Sequence, residues 1–187
     1  KRHGITLQQP FIQSAHSMSN PATSTTAPAI KGLHHNAYRC RDSEQTRQFY
    51  EDFLGLPLAA TLELGETKTG RSCNALHTFY RMQDGSFMAF FEVPDSEYEF
   101  KDWHDFDLHI ALEVDHAHML AMKAKGEAEN REVRGVAEHG FIHSIYFRDP
   151  NGYVIELSAV VGADEETAAQ TARAKLDNWQ ASKHAHA

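Results

Sequence analysis

The stretch HSIYFRDPNGYVIELS, residues 143–158, decides the fold. It reads as two strands joined by a tight turn. Ile145 and Phe147 alternate with Ser144, Tyr146 and Arg148. Asp149-Pro150-Asn151-Gly152 supplies the turn, because Pro fixes φ while Asn and Gly tolerate φ > 0. Along the second strand Tyr153, Ile155 and Leu157 share one face, and Val154, Glu156 and Ser158 share the other. A carboxylate between Ile155 and Leu157 is costly to bury without a partner. Glu156 therefore either faces solvent on a one-sided sheet or holds a cation.

Upstream, Asp107–Val114 reads as a strand, and Asp115 caps a helix that ends near Lys125-Gly126. A short strand around Arg131–Val136 precedes the hairpin, so the order is β-α-β-β-β. The same order occurs earlier. A strand over Leu33–Cys40 leads to Asp42, which caps a helix, with Gln45 three residues on as in a capping box. Phe49, Tyr50, Phe53 and Leu54 form that helix's apolar stripe, and Gly55 ends it. Three strands follow, Leu58–Leu64, Ala75–Met82 and Phe87–Val93, with Asp84-Gly85 as the turn between the last two. The chain is thus an internal repeat. Each module opens on a strand that begins with His and closes on a helix cap. In the second module Ile110, Leu112 and Val114 share the face that packs under the helix, while His109, Ala111 and Glu113 share the other. The same parity groups His35 with Ala37 and Arg39. Such a face is either solvated or the lining of a polar cup.

The chain has 187 residues, enough for one ordinary domain plus tails. Its formal charge of −8 disfavours nucleic acid and anionic membranes as partners. Two cysteines, Cys40 and Cys73, make no disulfide framework and point to a reducing, cytoplasmic setting. Residues 1–29 are polar and end in SNPATSTTAPA, a composition that does not bury enough apolar surface to order itself. Met18 is a candidate natural start, with the residues before it foreign to the natural chain. At the other end, 163–187 reads as a polar helix and tail, with Leu176 and Trp179 as anchors onto the sheet.

Four motifs in order, LHHNAYRCRD with FYEDFLGL, LHIALEVD and YFRDPNGYVIEL, resemble the vicinal oxygen chelate superfamily. That superfamily includes glyoxalase I, bleomycin-resistance proteins, fosfomycin-resistance enzymes and extradiol dioxygenases. The resemblance covers residues 30–162, with modules at 30–94 and 104–162. It implies an α+β fold in which two βαβββ modules form a curved sheet around one metal cup. It also implies, by position, the metal ligands His35, His109 and Glu156. Two imidazoles and one carboxylate with open positions suit non-haem Fe(II), and also hold Mn, Ni or Zn.

Glu92, in FFEVPD, lies near where glyoxalase I places a fourth ligand. Tyr146 has the spacing of the active-site tyrosine of extradiol dioxygenases, ten residues before Glu156. Gly85 stands near where the two-domain dioxygenases carry an acid–base histidine, which moves proton transfer to His139 or His77. His143 has the opposite parity to Tyr146 and does not share its face in a regular strand.

The expectation is therefore a small extradiol-type dioxygenase acting on a catecholic substrate, in a homodimer. His35, His109 and Glu156 hold Fe(II), and Tyr146 and His139 serve catalysis. One alternative is a glyoxalase I-like isomerase with Glu92 as fourth ligand. The other is a metal-free small-molecule binder.

Overall fold

The computed structural model describes residues 29–66, 69–162 and 165–184, without the side chains of 165–167 and 184. The chain divides into Lys1–Lys31 and Gly32–Ala187, and the fold lies in the second unit. The expectation that 1–29 is unfolded falls outside the described residues, apart from Ala29.

The first module runs β1 (Tyr38–Arg39), α1 (Ser43–Arg47), β2 (Leu58–Glu66), β3 (Ser72–Arg81) and β4 (Phe87–Glu92). The second runs β5 (His109–Glu113), α2 (His116–Ala128), β6 (Val133–Glu138), β7 (Ile142–Arg148) and β8 (Val154–Val160). Each module forms its own four-stranded mixed sheet, with strand orders β1-β4-β3-β2 and β5-β8-β7-β6. The two orders are the same permutation. In each, the first strand pairs in parallel with the last and the remaining pairs are antiparallel. The fold is α+β, as the repeat predicts. The sheets stay separate, however, with β1 and β5 as edge strands, so no single continuous sheet closes a cup.

The first strand is shorter than its sequence suggests, and Asn36 is the reason. Its side-chain amide takes both ladder bonds of Ala89, accepting from Ala89 N at 3.0 Å and donating to Ala89 O at 3.4 Å. Only an isolated bridge from His35 to Phe87 continues the pairing before β1. Asp42 caps α1 as expected, its carboxylate accepting from Gln45 N at 2.8 Å. The helix continues in π-helical form over Gln48–Phe53 and ends at Gly55, whose φ of 83° suits glycine.

One core joins the modules. Phe49, Tyr50 and Phe53 pack with Met119, Met122, Ile145 and Phe147, among others. The Phe53 ring meets Phe147 edge-on at 5.2 Å. The turn at Asp149–Gly152 is no surface hairpin tip, since Asn151 is only 1% exposed. Asp149 accepts from Asn151 N at 2.9 Å, Tyr153 N at 2.8 Å and the Tyr50 hydroxyl at 3.0 Å. Asn151 Oδ1 accepts from Arg41 N at 2.8 Å. These bonds tie the turn of one module to the first helix and strand of the other. Burial pushes the Asp149 carboxyl up, against the opposing pull of those donors.

The terminal helix, α3 (Glu165–His184), does not anchor through the residues expected to do so. Leu176 and Trp179 stand 50% and 65% exposed. Two large apolar groups on an otherwise polar helix offer little area to offset docking. No described helix is long and apolar enough to cross a membrane.

Candidate metal centre

Strand parity brings His109 and Glu156 together. β5 pairs with β8 so that His109 faces Val154 and Ala111 faces Glu156. The imidazole reaches diagonally, and His109 Nε2 lies 3.2 Å from Glu156 Oε2. Glu156 does not face solvent, being 8% exposed.

His109 Nδ1 lies 2.7 Å from the carbonyl oxygen of Asp105, which accepts its proton. In the neutral ring that leaves Nε2 as a lone pair aimed at a carboxylate. Two electron-rich atoms this close call for a cation or a proton between them. A carbonyl behind a histidine is also the usual support for a metal ligand. The spacing of 3.2 Å fits the bite of one ion bound to nitrogen and oxygen at about 2.0–2.2 Å each. The donor set fits a divalent transition metal.

The second carboxylate oxygen is held from two sides. Ser158 Oγ donates to Glu156 Oε1 at 2.9 Å, and the Tyr146 hydroxyl donates at 3.3 Å. Tyr146 faces Glu156 directly across β7 and β8. His139 Nε2 lies 3.0 Å from the same hydroxyl. A hydroxyl has one proton, so with Tyr146 donating to Glu156, the His139 N–H donates to Tyr146. Burial and the charge of Glu156 raise the Tyr146 pKa, which keeps the phenol protonated and able to donate. Arg134 stacks 5.3 Å over the Tyr146 ring and donates to Asp105 Oδ1 at 2.7 Å. That bond holds the Asp105 carboxyl below its usual range. Asp105 thus steadies His109 through its backbone and Arg134 through its side chain. Ser158 has the parity of Glu156 and was legible as a neighbour. Asp105 and Arg134 lie on a loop and a separate strand, and no sequence period links them to the site.

His35 does not join this group. Its ring lies 6.0 Å from His77 and 5.5 Å from Phe79, and its Nδ1 lies 2.7 Å from His34 Nδ1. Among the described residues, no three His, Cys, Asp or Glu side chains gather to hold a metal. A groove of about 770 Å³ runs between the edges β1 and β5, lined by Asn36, Tyr38, Met88, His109, Ala111 and Glu113 among others. His77 is buried, stacked on Phe91 at 3.6 Å, with Nδ1 2.9 Å from the Phe90 carbonyl. Desolvation lowers its pKa.

Glu92 faces away from the ligand side. It shares a β4 face with the buried Met88 and Phe90, and its Oε2 accepts from Ser43 N at 2.7 Å, capping α1. The repeat shows what stands in the carboxylate's place. Glu156 lies two residues beyond the partner of His109, and Ala89 lies two beyond the partner of His35. The first module thus presents alanine where the second presents glutamate. His143 points to the helix side, away from Tyr146.

The chain is 29% identical over 143 residues to a lactoylglutathione lyase of Neisseria meningitidis, across 75% of this chain and 99% of that protein. Among solved structures, a glyoxylase/bleomycin resistance protein/dioxygenase domain from Frankia sp. aligns with a TM-score of 0.57 at 14% identity. It covers 71% of this chain and 99% of that one. A point mutant of the fosfomycin resistance protein FosX of Listeria monocytogenes, complexed with Mn(II), aligns with a TM-score of 0.51 at 21% identity, over 74% and 98% of the two chains. These likenesses speak for the fold. A sequence model of one family matches residues 32–157, and with the repeated βαβββ sheets it gives the conclusion that the chain belongs to the Glyoxalase/Bleomycin resistance protein/Dioxygenase superfamily.

Proposed function

We propose that this protein is a metal-dependent enzyme acting on a small molecule with vicinal oxygens, and that its reaction is extradiol-type cleavage of a catecholic ring. The observation that supports this reading is the place of Glu92, the candidate fourth ligand: it caps a helix, and Ala89 stands at the repeat-related position. Two imidazoles and one carboxylate leave positions for both substrate oxygens and O₂, as in Fe(II) oxygenases. His109 and Glu156 hold the ion, and His35 supplies the third ligand. The metal contributes Lewis acidity and, as Fe(II), the capacity to react with O₂.

The chain's own groups do the rest. Tyr146 donates its one hydroxyl proton to Glu156 Oε1 and would turn it toward a substrate oxygen bound beside that carboxylate. His139 supplies or removes a proton through the Tyr146 hydroxyl, 3.0 Å away. Asp105 fixes the His109 tautomer. His35 reaches the site from a second copy of the chain, because within one chain it lies elsewhere. The cytoplasm is the compartment that suits this chemistry and the two free cysteines.

A second reading has its own support. The lactoylglutathione lyase relative favours an isomerase working on a glutathione adduct, with Ni or Zn in place of iron. Protein purified without oxygen should contain iron and consume O₂ when given catechols. Nickel or zinc, with conversion of the methylglyoxal–glutathione adduct and no O₂ uptake, would replace the first reading with the second. Absence of metal, with ligand binding retained, would leave a binding protein.

A further inference from the structure

A second histidine pair lies on the opposite side of the second sheet. His116 opens α2, and His143 is the second residue of β7. His143 faces the buried Ala159 across the β7–β8 pair, so it belongs to the helix side, with Ile145 and Phe147. Tyr146 and Glu156 point the other way. The pair is therefore separate from the centre at His109.

His143 Nδ1 lies 3.4 Å from His116 Nε2, with ring centroids 5.4 Å apart and planes inclined at 58°. The separation is longer than a good N–H···N bond, which falls at about 2.7–3.2 Å. It matches another geometry. Two nitrogens at about 2.0–2.1 Å from one tetrahedral zinc ion stand about 3.3–3.4 Å apart. His116 is exposed and His143 half-buried, so an ion reaches the pair from solvent without any rearrangement of the core.

We propose that His116 and His143 form a two-histidine clip for a borderline transition-metal cation, Zn(II) being the reference ion, which joins the first turn of α2 to β7. Imidazole selects Zn, Cu or Ni over Mg and Ca, which take oxygen ligands. Among the described residues no third His, Cys, Asp or Glu side chain completes the set. Water fills the remaining positions, and the ion is exchangeable. The paired geometry belongs to the folded chain, so binding stabilises that state by mass action.

The test uses zinc chloride, equilibrium dialysis and thermal melts on the full chain and on His116→Ala, His143→Ala and His118→Ala. His118 is exposed on the same helix and controls for histidine content. Zinc should raise the melting temperature of the wild type. His116→Ala and His143→Ala should each bind one zinc fewer and lose that part of the shift, while His118→Ala keeps both. Glu156→Gln removes a different zinc, so in the double variant with His143→Ala the losses should add. Should the His109–Glu156 centre hold no zinc, the wild type still binds at the pair and His143→Ala does not. Equal zinc content and equal shifts in the wild type and in both His116→Ala and His143→Ala overturn the proposal. So does an equal loss in His118→Ala. If His143→Ala fails to fold, His116→Ala, altered at an exposed helix start, gives the same reading.

Discussion

Glu92 and Glu156 both lie on the last strand of a module, and their hydrogen bonds separate their roles. Glu92 receives Ser43 N at the start of α1, where a negative charge complements the helix dipole. Glu156 receives Ser158 and Tyr146 and faces His109. Glu92→Gln keeps an acceptor for Ser43 N and loses only the charge. It should cost about 0.5–1.5 kcal/mol in a urea titration and leave metal content unchanged. Glu156→Gln should lose the metal. Equal metal loss in the two variants would return Glu92 to the ligand set and favour the isomerase. The face of its own strand on which each of His109 and Glu156 stands is legible in the sequence, because a strand's period of two assigns faces without knowledge of the fold; that the two faces meet is implied only by the family resemblance. Parity also separates Glu92 from Phe91, but it does not say which face is the cup. That depends on where α1 packs. The contacts of Asp105 are out of reach for a related reason, since they are set by the path of a loop, whereas His139 is named from the sequence as a candidate beside Tyr146.

Within elements, the repeat carried the topology, and single residues set the departures from it. Three of the first module's four strands and all of the second's were legible from alternation and turn chemistry. Asn36 interrupts the opening strand by putting a side-chain amide where the backbone ladder would run, which periodicity does not register. The sequence places the end of α2 near Lys125-Gly126, and the helix runs on to Ala128. Its glycine serves packing. A Cβ there would lie 2.6 Å from Phe147 Cε1 and 2.7 Å from Val133 Cγ2. Phe147 has no room to yield, because its ring is held edge-on against Phe53. Gly126→Ala gains up to about 1 kcal/mol of helix propensity and meets an overpacking cost of about 1–3 kcal/mol. The net effect should be destabilising by about 1–2 kcal/mol, read as a lower urea midpoint at unchanged slope. A stabilised variant would mean that α2 can slide away from β7.

For the whole molecule, the proposed centre raises the question of how three candidate ligands on two sheets would meet at one ion. The sequence supplied the three residues through a family resemblance, and its periodicity is silent on whether they belong to one chain. His109 and Glu156 already stand together, while His35 sits with His77 and Phe79 on the other module. The first module's outer strand is exposed along its length, with Leu58, Leu62 and Leu64 uncovered. A two-fold dimer would place each copy's first module against the other's second and make two equal sites. Mixing separates this arrangement from a site closed within one chain. His35→Ala lacks one ligand, and Glu156→Gln lacks another. In a shared-site dimer, their heterodimer has one site with both defects and one with none. Equal amounts of the two variants, allowed to exchange subunits, should recover roughly a quarter of the wild-type sites, because half of the dimers are mixed and each carries one whole site. Bound metal and turnover should return together, and to the same fraction. A site built within one chain gives no recovery at any mixing ratio, since every chain then carries its own defect. Cross-linking of the mixture shows whether exchange took place, so mixed dimers without metal would place His35 in the same site as its own chain's His109.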